Sequence, residues 1–443
     1  MSRKLTIVGA GWAGLSAAVQ ATQRGFQVHL IEAAATPGGR AKSISHQGLR
    51  FDNGQHAFLG AYSATLSLIE SIGLNTDQLF EREALHWSYP NGAPFGLTED
   101  PYPLKLTRSL LKSQRFDSME KVSLLKPAFN WLQFLIKRFA SVTPRYPMDM
   151  SVEQLVEGVS KHVVQDIISP LCLSAMNTPM ADASANTFLR ILKDAFKDPP
   201  HSCDFLWPRM PLSDIMPERA VEWLREKGGS VQLGQRVDAL SEVDPGVPCL
   251  LAVPPWQAAK LTRAKNPHWS TLANQLQHRA IASVYLKGNT DPTNSKGMSR
   301  GRLMCFNQHM ELENCVHPQF GVQLQAPMAL TTKSSSHADS TSDTGLQHWV
   351  LIVSVADPHK REEIIENALR VAQTELGLTD PALQFCSVEK RATFSCEPGL
   401  SRPPSFIAEG LWACGDYVQG PYPSTIEGAV MSGVMAVEQI SRC

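Results

Sequence analysis

Three glycines near the amino terminus carry the first chemical signal. They stand in Gly9-Ala10-Gly11-Trp12-Ala13-Gly14. At this spacing the first glycine permits a tight turn, the second lets backbone approach a pyrophosphate, and the third lets a helix pack closely on a strand. The flanks suit that reading. Leu5 to Val8 is short, apolar and β-branched, as a buried parallel strand should be. Trp12 to Arg24 reads as a helix stopped by Gly25, and Gln27 to Ile31 as a second strand. Amides at the helix start would meet the phosphates of a dinucleotide. Glu32, followed by Ala33, ends the second strand, where a carboxylate can accept hydrogen bonds from ribose hydroxyls. A negative charge there disfavours a 2′-phosphate and argues against NADP. The bare hexad could serve packing alone, and it does not separate FAD from NAD.

The next segment separates them. In Pro37-Gly38-Gly39-Arg40-Ala41, two glycines and an arginine offer amides and a guanidinium where a longer dinucleotide still needs support. Here the sequence resembles the FAD-dependent amine-oxidase superfamily, which implies that Gly38, Gly39 and Arg40 lie along the pyrophosphate and flavin. Phe51-Asp52-Asn53-Gly54-Gln55-His56 is similar to the superfamily segment beneath the isoalloxazine ring, and Val237 to the position whose backbone meets the adenine. Ala413-Cys414-Gly415-Asp416 and Tyr422-Pro423-Ser424-Thr425-Ile426-Glu427-Gly428-Ala429 resemble its closing signature. The resemblance implies that Asp416 binds the ribityl or phosphate part and that the helix start at Thr425 and Ile426 faces the flavin N1 and O2 edge. A positive helix end suits the charge of reduced flavin at that edge. His56 taken alone reads equally well as a satisfied core histidine.

Several further segments, spread over nearly the whole chain, narrow the resemblance. Arg50 to His56, Pro170 to Pro179, Ala252 to Ala258, Glu389 to Phe394 and Gly415 to Pro423 are similar to the hydroxysqualene dehydroxylase family of bacterial hopanoid synthesis. This implies an isoprenoid substrate, non-covalent FAD, and removal of an allylic hydroxyl with hydride from reduced flavin. It also implies a dry apolar pocket, since water would capture an allylic cation. Protonation of the hydroxyl needs a general acid, for which Asp52, His56 and Tyr422 are the candidates near the flavin. Nothing in the sequence names the electron donor. A phytoene-type isoprenoid desaturase is the first alternative. An amine oxidase is the second, disfavoured because Thr425 stands where the monoamine oxidases carry an aromatic. A prenyl-binding escort-like protein without redox chemistry is the third.

These residues need elements to position them, and 443 residues allow more than one domain. The expected fold is α/β, with a Rossmann-like FAD-binding domain of the amine-oxidase or glutathione-reductase type interleaved with an α+β substrate domain. The first would take residues 1–85, 210–275 and 395–443, and the second residues 86–209 and 276–394, with apolar helices and a mixed sheet. Helical patterns run from Ser151 to Lys197 and from Pro217 to Lys227. Ser230 to Leu240 and Cys249 to Val253 read as strands, as do stretches around Ala280 to Leu286 and Trp349 to Val355. Leu411 to Cys414 is another strand, and a final helix spans about Thr425 to Ser441. Thr331 to Gly345, rich in Ser, Thr and Asp, reads as a surface loop.

Composition excludes several classes. Hydrophobic residues make up 43% and charged ones 19%, which is globular, and a net charge of −1 gives no field to recruit nucleic acid. Nine cysteines without a Cys-x-x-Cys pair argue against a disulfide framework and a zinc site, so no metal and a cytoplasmic setting are expected. The glycines of the hexad break the superficial likeness of the first residues to a secretion signal. No apolar run reaches about 18 residues, the length of a spanning helix. Lys105 to Arg145 mixes bulky apolar with basic residues, which reads either as peripheral contact with an anionic inner-membrane surface or as core helices with solvated Lys and Arg.

Overall fold

Strand Lys4–Val8 is buried from its second residue onward, with Leu5 and Ile7 fully enclosed, because helices cover both faces of a parallel sheet. It pairs in parallel with Gln27–Glu32 on one side and with Cys249–Leu251 on the other, so that Ile7 lies opposite both Leu30 and Leu250. Ser230–Leu233 extends the sheet beyond Gln27–Glu32. Leu411–Ala413 and then the antiparallel Phe406–Ala408 extend it beyond Cys249–Leu251. This is the Rossmann-like α/β architecture expected from the sequence, assembled from early, middle and late parts of the chain. The computed structural model describes residues 3–90, 93–97, 104–123, 149–196, 201–290, 303–306, 319–324, 328–329 and 346–443.

The first helix, Trp12–Gln23, packs against the closing helix, Ile426–Arg442. Their approach is set by Gly433, where an added Cβ would lie 2.2 Å from Ser16 Oγ and 2.3 Å from the Ala13 carbonyl oxygen. Ser16 Oγ donates across this contact to the Val430 carbonyl at 3.0 Å. The two ends of the chain are thereby held as one layer.

The second large sheet is antiparallel, in the order Leu303–Phe306, Gln319–Leu324, Leu346–Ala356, His278–Thr290, Leu378–Phe394. Its two faces follow strand alternation. Ala282, Val284 and Leu286 pack with Ile364, Ala368 and Val371 of the helix Arg361–Thr374. Ile281 and Ser283 point the other way, into the cavity described below. A hairpin of Ser43–His46 and Leu49–Asp52 turns through Gln47 and Gly48, both at positive φ as a two-residue loop often requires.

The helices expected from Ser151 onward share a core with Val8, Ile31 and Leu251 of the parallel sheet. They are Val152–Leu155, a continuous stretch from Lys161 to Met176, and Ala185–Ala195. The middle one widens into a π turn at Val164–Ile168, just before Pro170. Pro170 has no N–H to give to the Asp166 carbonyl four residues back, and Tyr89 Oη donates there at 2.5 Å instead. One expectation needs correction. The strand read from Ser230 to Leu240 ends at Leu233, where Gly234 turns at φ +77°, and Leu240–Glu242 is a 3-10 turn. Of the segment Lys105 to Arg145, the described part forms the helices Leu104–Lys112 and Ser118–Ser123. Residues 124–148, the position Lys197 and the loop Thr331 to Gly345 lie outside the described residues.

Candidate functional site

The parallel strands all discharge at one edge. Gly9 follows Val8, Glu32 ends its strand, Ala252 follows Leu251, and Gly415 follows the strand Leu411–Ala413 by one residue. The carboxyl ends of adjacent parallel strands are where such sheets bind ligands. A cavity of about 680 Å³ opens there and is lined by Gly9, Gly11, Trp12, Ala13, Glu32, Ala33, Gly38, Gly39, Arg40, Asn53, Gly54, Gln55, His56, Val237, Gly415, Asp416, Tyr422, Ser424, Thr425, Ile426 and Glu427. Of the residues singled out from the sequence, Ala10, Gly14 and Asp52 are not in that lining.

Packing explains two of the hexad glycines. Gly9 sits at φ +110°, and a Cβ on it would come within 2.4 Å of the Ala252 carbonyl oxygen. On Gly14 a Cβ would meet the Gly9 carbonyl oxygen at 1.9 Å, so it is the seat of helix on strand rather than a contact for ligand. Gly11 is different. The nearest atom to a Cβ there is the Gly39 Cα at 3.8 Å, so it faces open cavity. The helix that begins at Trp12 has no side-chain cap and no acid in its first turn, which leaves its positive end facing that space. An anionic pyrophosphate fits such a cradle.

Glu32 is fixed by two backbone amides. Its Oε2 accepts from Ala10 N at 2.6 Å and its Oε1 from Ala34 N at 2.7 Å. Each carboxylate oxygen has a second lone pair, so ribose hydroxyls remain bindable. The Ala10 contribution is thus a brace for the acid. Trp12 turns its indole N–H to the Ala41 carbonyl at 2.9 Å and packs in the core while edging the cavity.

The Gly-Gly-Arg segment is tied to the far end of the chain. Arg40 Nη2 pairs with Asp416 Oδ1 at 2.6 Å, and its Nη1 donates to the Ala392 carbonyl at 2.6 Å. The guanidinium expected along the dinucleotide is therefore already engaged, and it bears on the cavity as half of an ion pair. Asn53 donates to the Arg40 carbonyl at 3.0 Å and accepts from Ser387 Oγ at 2.5 Å. At the closing helix, Thr425 is the N-cap and its Oγ1 accepts from Gly428 N at 3.0 Å, while Ser424 Oγ accepts from Phe394 N at 2.9 Å. The Glu427 carboxylate accepts from Ala64 N, Thr65 N and Thr65 Oγ1, so it braces the helix Ser63–Ser71. Burial raises its pKa against those three bonds.

Away from the glycines the cavity is walled by apolar side chains, among them Leu171, Phe188, Ile191, Leu192, Phe205 and Ile352. The three acid candidates fare differently there. Asp52 Oδ1 accepts from Ser43 Oγ at 2.6 Å and from Leu212 N at 2.9 Å, which makes it a joint between the hairpin and the start of Leu212–Ile215. His56 lines the cavity with Nδ1 2.8 Å from the Gly54 carbonyl. Burial, with the Arg40 charge acting in the same direction, pushes the His56 imidazolium below its usual range, so the ring is neutral at neutral pH. Tyr422 also lines it, and its hydroxyl donates to Asp194 Oδ2 at 2.6 Å. Burial pushes the Tyr422 phenol up, and the Asp194 partner adds to the effect.

Sequence reading missed three residues here. Asp194 stands among apolar wall residues of its helix, and a signal was available in Arg190, four positions before it. Asn177 ends the helix Ser169–Met176 at φ +46°, gives a hydrogen bond to Thr393 Oγ1 at 3.0 Å and accepts one from Val355 N at 2.8 Å, pinning helices to sheet. Arg402 donates to the Tyr422 carbonyl at 2.6 Å and also to Gly420, holding the loop that carries Tyr422. Among the described residues, no cluster of three or more His, Cys, Asp or Glu could hold a metal.

Comparison with known proteins places this geometry. The family described as NAD(P)-binding Rossmann-like domain matches residues 7–71. Hydroxysqualene dehydroxylase of Rhodopseudomonas palustris is 25% identical over 468 aligned positions, which take in 99% of each chain. The protein of that name from Sinorhizobium fredii is 24% identical over 99% of this chain and 98% of its own. Among solved structures, a putative protoporphyrinogen oxidase from Exiguobacterium superposes with a TM-score of 0.66 at 17% identity, covering 100% of this chain and 99% of that one.

Proposed function

We propose that this chain, an oxidoreductase whose sequence aligns end to end with the hydroxysqualene dehydroxylases, binds FAD without a covalent link and converts hydroxysqualene to squalene. The observation that carries the reading is one cavity that joins an anion cradle at Gly11 and Gly39 to walls of Leu171, Phe188, Ile191 and Leu192. The cradle suits a dinucleotide, and the walls suit a long hydrocarbon. Residues 1–85, 210–275 and 395–443 would form the FAD part, and residues 86–209 and 276–394 the substrate part.

Reduced FAD, when bound, supplies the hydride that replaces the lost hydroxyl. The chain's own residues set the conditions for that exchange. Gly9 to Ala13, Glu32, Val237 and Asp416 would hold the nucleotide, and Thr425 with Ile426 would present a helix start to its ring. The apolar walls exclude water from the carbon that becomes positive as the hydroxyl leaves with a proton as water. At neutral pH His56 is an uncharged imidazole and a poor proton donor, and Tyr422, its phenol pushed up by burial and by Asp194, would orient the hydroxyl rather than protonate it.

The test is anaerobic. Chemically reduced protein mixed with hydroxysqualene should form squalene as the flavin band returns. No squalene, together with dehydrogenation of a polyene by the oxidised protein, would replace this reading with that of a desaturase. A further expectation concerns membranes, since Leu111, Met119 and Val122 are exposed beside Lys112 and Lys121. No described helix is long and apolar enough to cross a bilayer, so contact would be peripheral. It is checked by sedimentation with anionic vesicles at low salt, and absence from the pellet would remove it.

A further inference from the structure

Asp194 is out of place in its surroundings. The helix Ala185–Ala195 turns Phe188, Ile191, Leu192 and Ala195 toward the cavity, and Asp194 lines the same cavity with its side chain 16% exposed. A carboxylate in an apolar wall costs free energy unless it is paired. Asp194 is paired on one side only. Arg190 Nε and Tyr422 Oη both donate to Oδ2, each at 2.6 Å. Among the described residues no hydrogen bond to Oδ1 is seen, and Asp194 is one of the residues that line the cavity. The Tyr422 ring, with the Arg190 guanidinium 5.6 Å from its centroid, forms the other side of the cluster.

We infer that Asp194 and Tyr422 form the subsite for the hydroxyl of an isoprenoid alcohol. The alcohol O–H donates to Asp194 Oδ1, and the Tyr422 hydroxyl turns from Oδ2 to donate to the alcohol oxygen. Arg190 and Arg402 are positioning residues: the first holds the carboxylate in place through Oδ2, and the second fixes the loop of Tyr422 through its carbonyl. A hydrocarbon product has no group for this subsite, so the cluster favours the alcohol over its product. A negative carboxylate also stands close to the carbon from which the hydroxyl departs, where positive charge develops. A purely structural tie between helix and loop would use the same Oδ2 bonds but would not sense the ligand's hydroxyl. The inference rests on the dehydroxylase reading above.

The experiment uses oxidised, FAD-loaded protein, in which no turnover occurs, titrated separately with hydroxysqualene and with squalene while the flavin absorbance is followed. A hydroxyl bonded to a charged acceptor should give the alcohol a preference of roughly tenfold to a hundredfold. Asp194→Asn and Tyr422→Phe should each bring that ratio toward one while FAD affinity and squalene affinity stay as in the wild type. If Asp194→Asn fails to hold FAD, Tyr422→Phe, which removes one oxygen only, decides. A preference kept in that variant overturns the inference. Equal affinity of the wild type for both ligands overturns it too. If reduced wild type fails to convert hydroxysqualene, the dehydroxylase reading falls first and the inference falls with it.

Discussion

Replacing Gly433 with alanine tests the joint between the two ends of the chain. The added methyl would sit 2.2 Å from Ser16 Oγ, 2.3 Å from the Ala13 carbonyl oxygen and 3.0 Å from Ala17 N. Two of these three atoms belong to the backbone of the first helix, so a rotamer change at Ser16 relieves only one of them. The helices must part. Overpacking of this kind costs about 1–3 kcal/mol, and the Ser16 to Val430 hydrogen bond adds roughly 1 kcal/mol when it breaks. Against this, alanine in a helix interior gains up to about 1 kcal/mol over glycine. The balance is a loss of about 1–3 kcal/mol, read as a lower urea midpoint at unchanged slope. Because Ala13 belongs to the turn whose amides face the cradle, FAD affinity should fall in the same variant, measured by quenching of flavin fluorescence. A Gly433→Ala protein as stable as the wild type or more so would refute the close approach and, with it, the mechanical link from closing helix to cofactor loop.

Glu32→Ala should lower FAD affinity about tenfold to a hundredfold through loss of charge-assisted bonds to ribose, and an unchanged titration would show that the acid serves only Ala10 and Ala34. Asp52→Asn should fold and bind FAD normally, because both bonds the carboxyl accepts fall on Oδ1, which an amide oxygen can replace. Burial raises the Asp52 pKa, so its contribution to stability is present below the ordinary carboxylate range and is lost as pH rises through the folded value. Urea midpoints from pH 4 to pH 8 should therefore fall less in the asparagine variant than in the wild type, and parallel curves would contradict the sign. Acid precipitation should leave the yellow colour in the supernatant, since the expected flavin is non-covalent; a yellow pellet would show otherwise.

The hexad, the strand before it, the helix after it and Glu32 were legible because they are local. Their roles depend on spacing within one βαβ unit, and Gly9 and Gly14 meet the contacts that spacing demands. The strand after Gly229 reads too long in sequence because Val237, Asp238 and Ala239 resume an apolar and polar alternation beyond Leu233, whereas Gly234 turns the backbone out of the sheet. Asp52 looked chemical because it sits beside residues that do line the cavity. Neighbours on a strand point to opposite faces, and register alone decided which face it took.

The residue types and spacing by themselves determined that this chain folds a dinucleotide-type strand and helix and carries matching segments at its far end. Only tertiary structure decided what those segments hold. Arg40 meets Asp416 across 376 positions, Glu427 meets Thr65 across 362, and Tyr422 meets Asp194 across 228. Each pair joins groups whose affinity for one another is general, so sequence offers many equally good partners. Packing of the two sheets and the closing helix selects one of them, by bringing it within hydrogen-bond distance where little water competes.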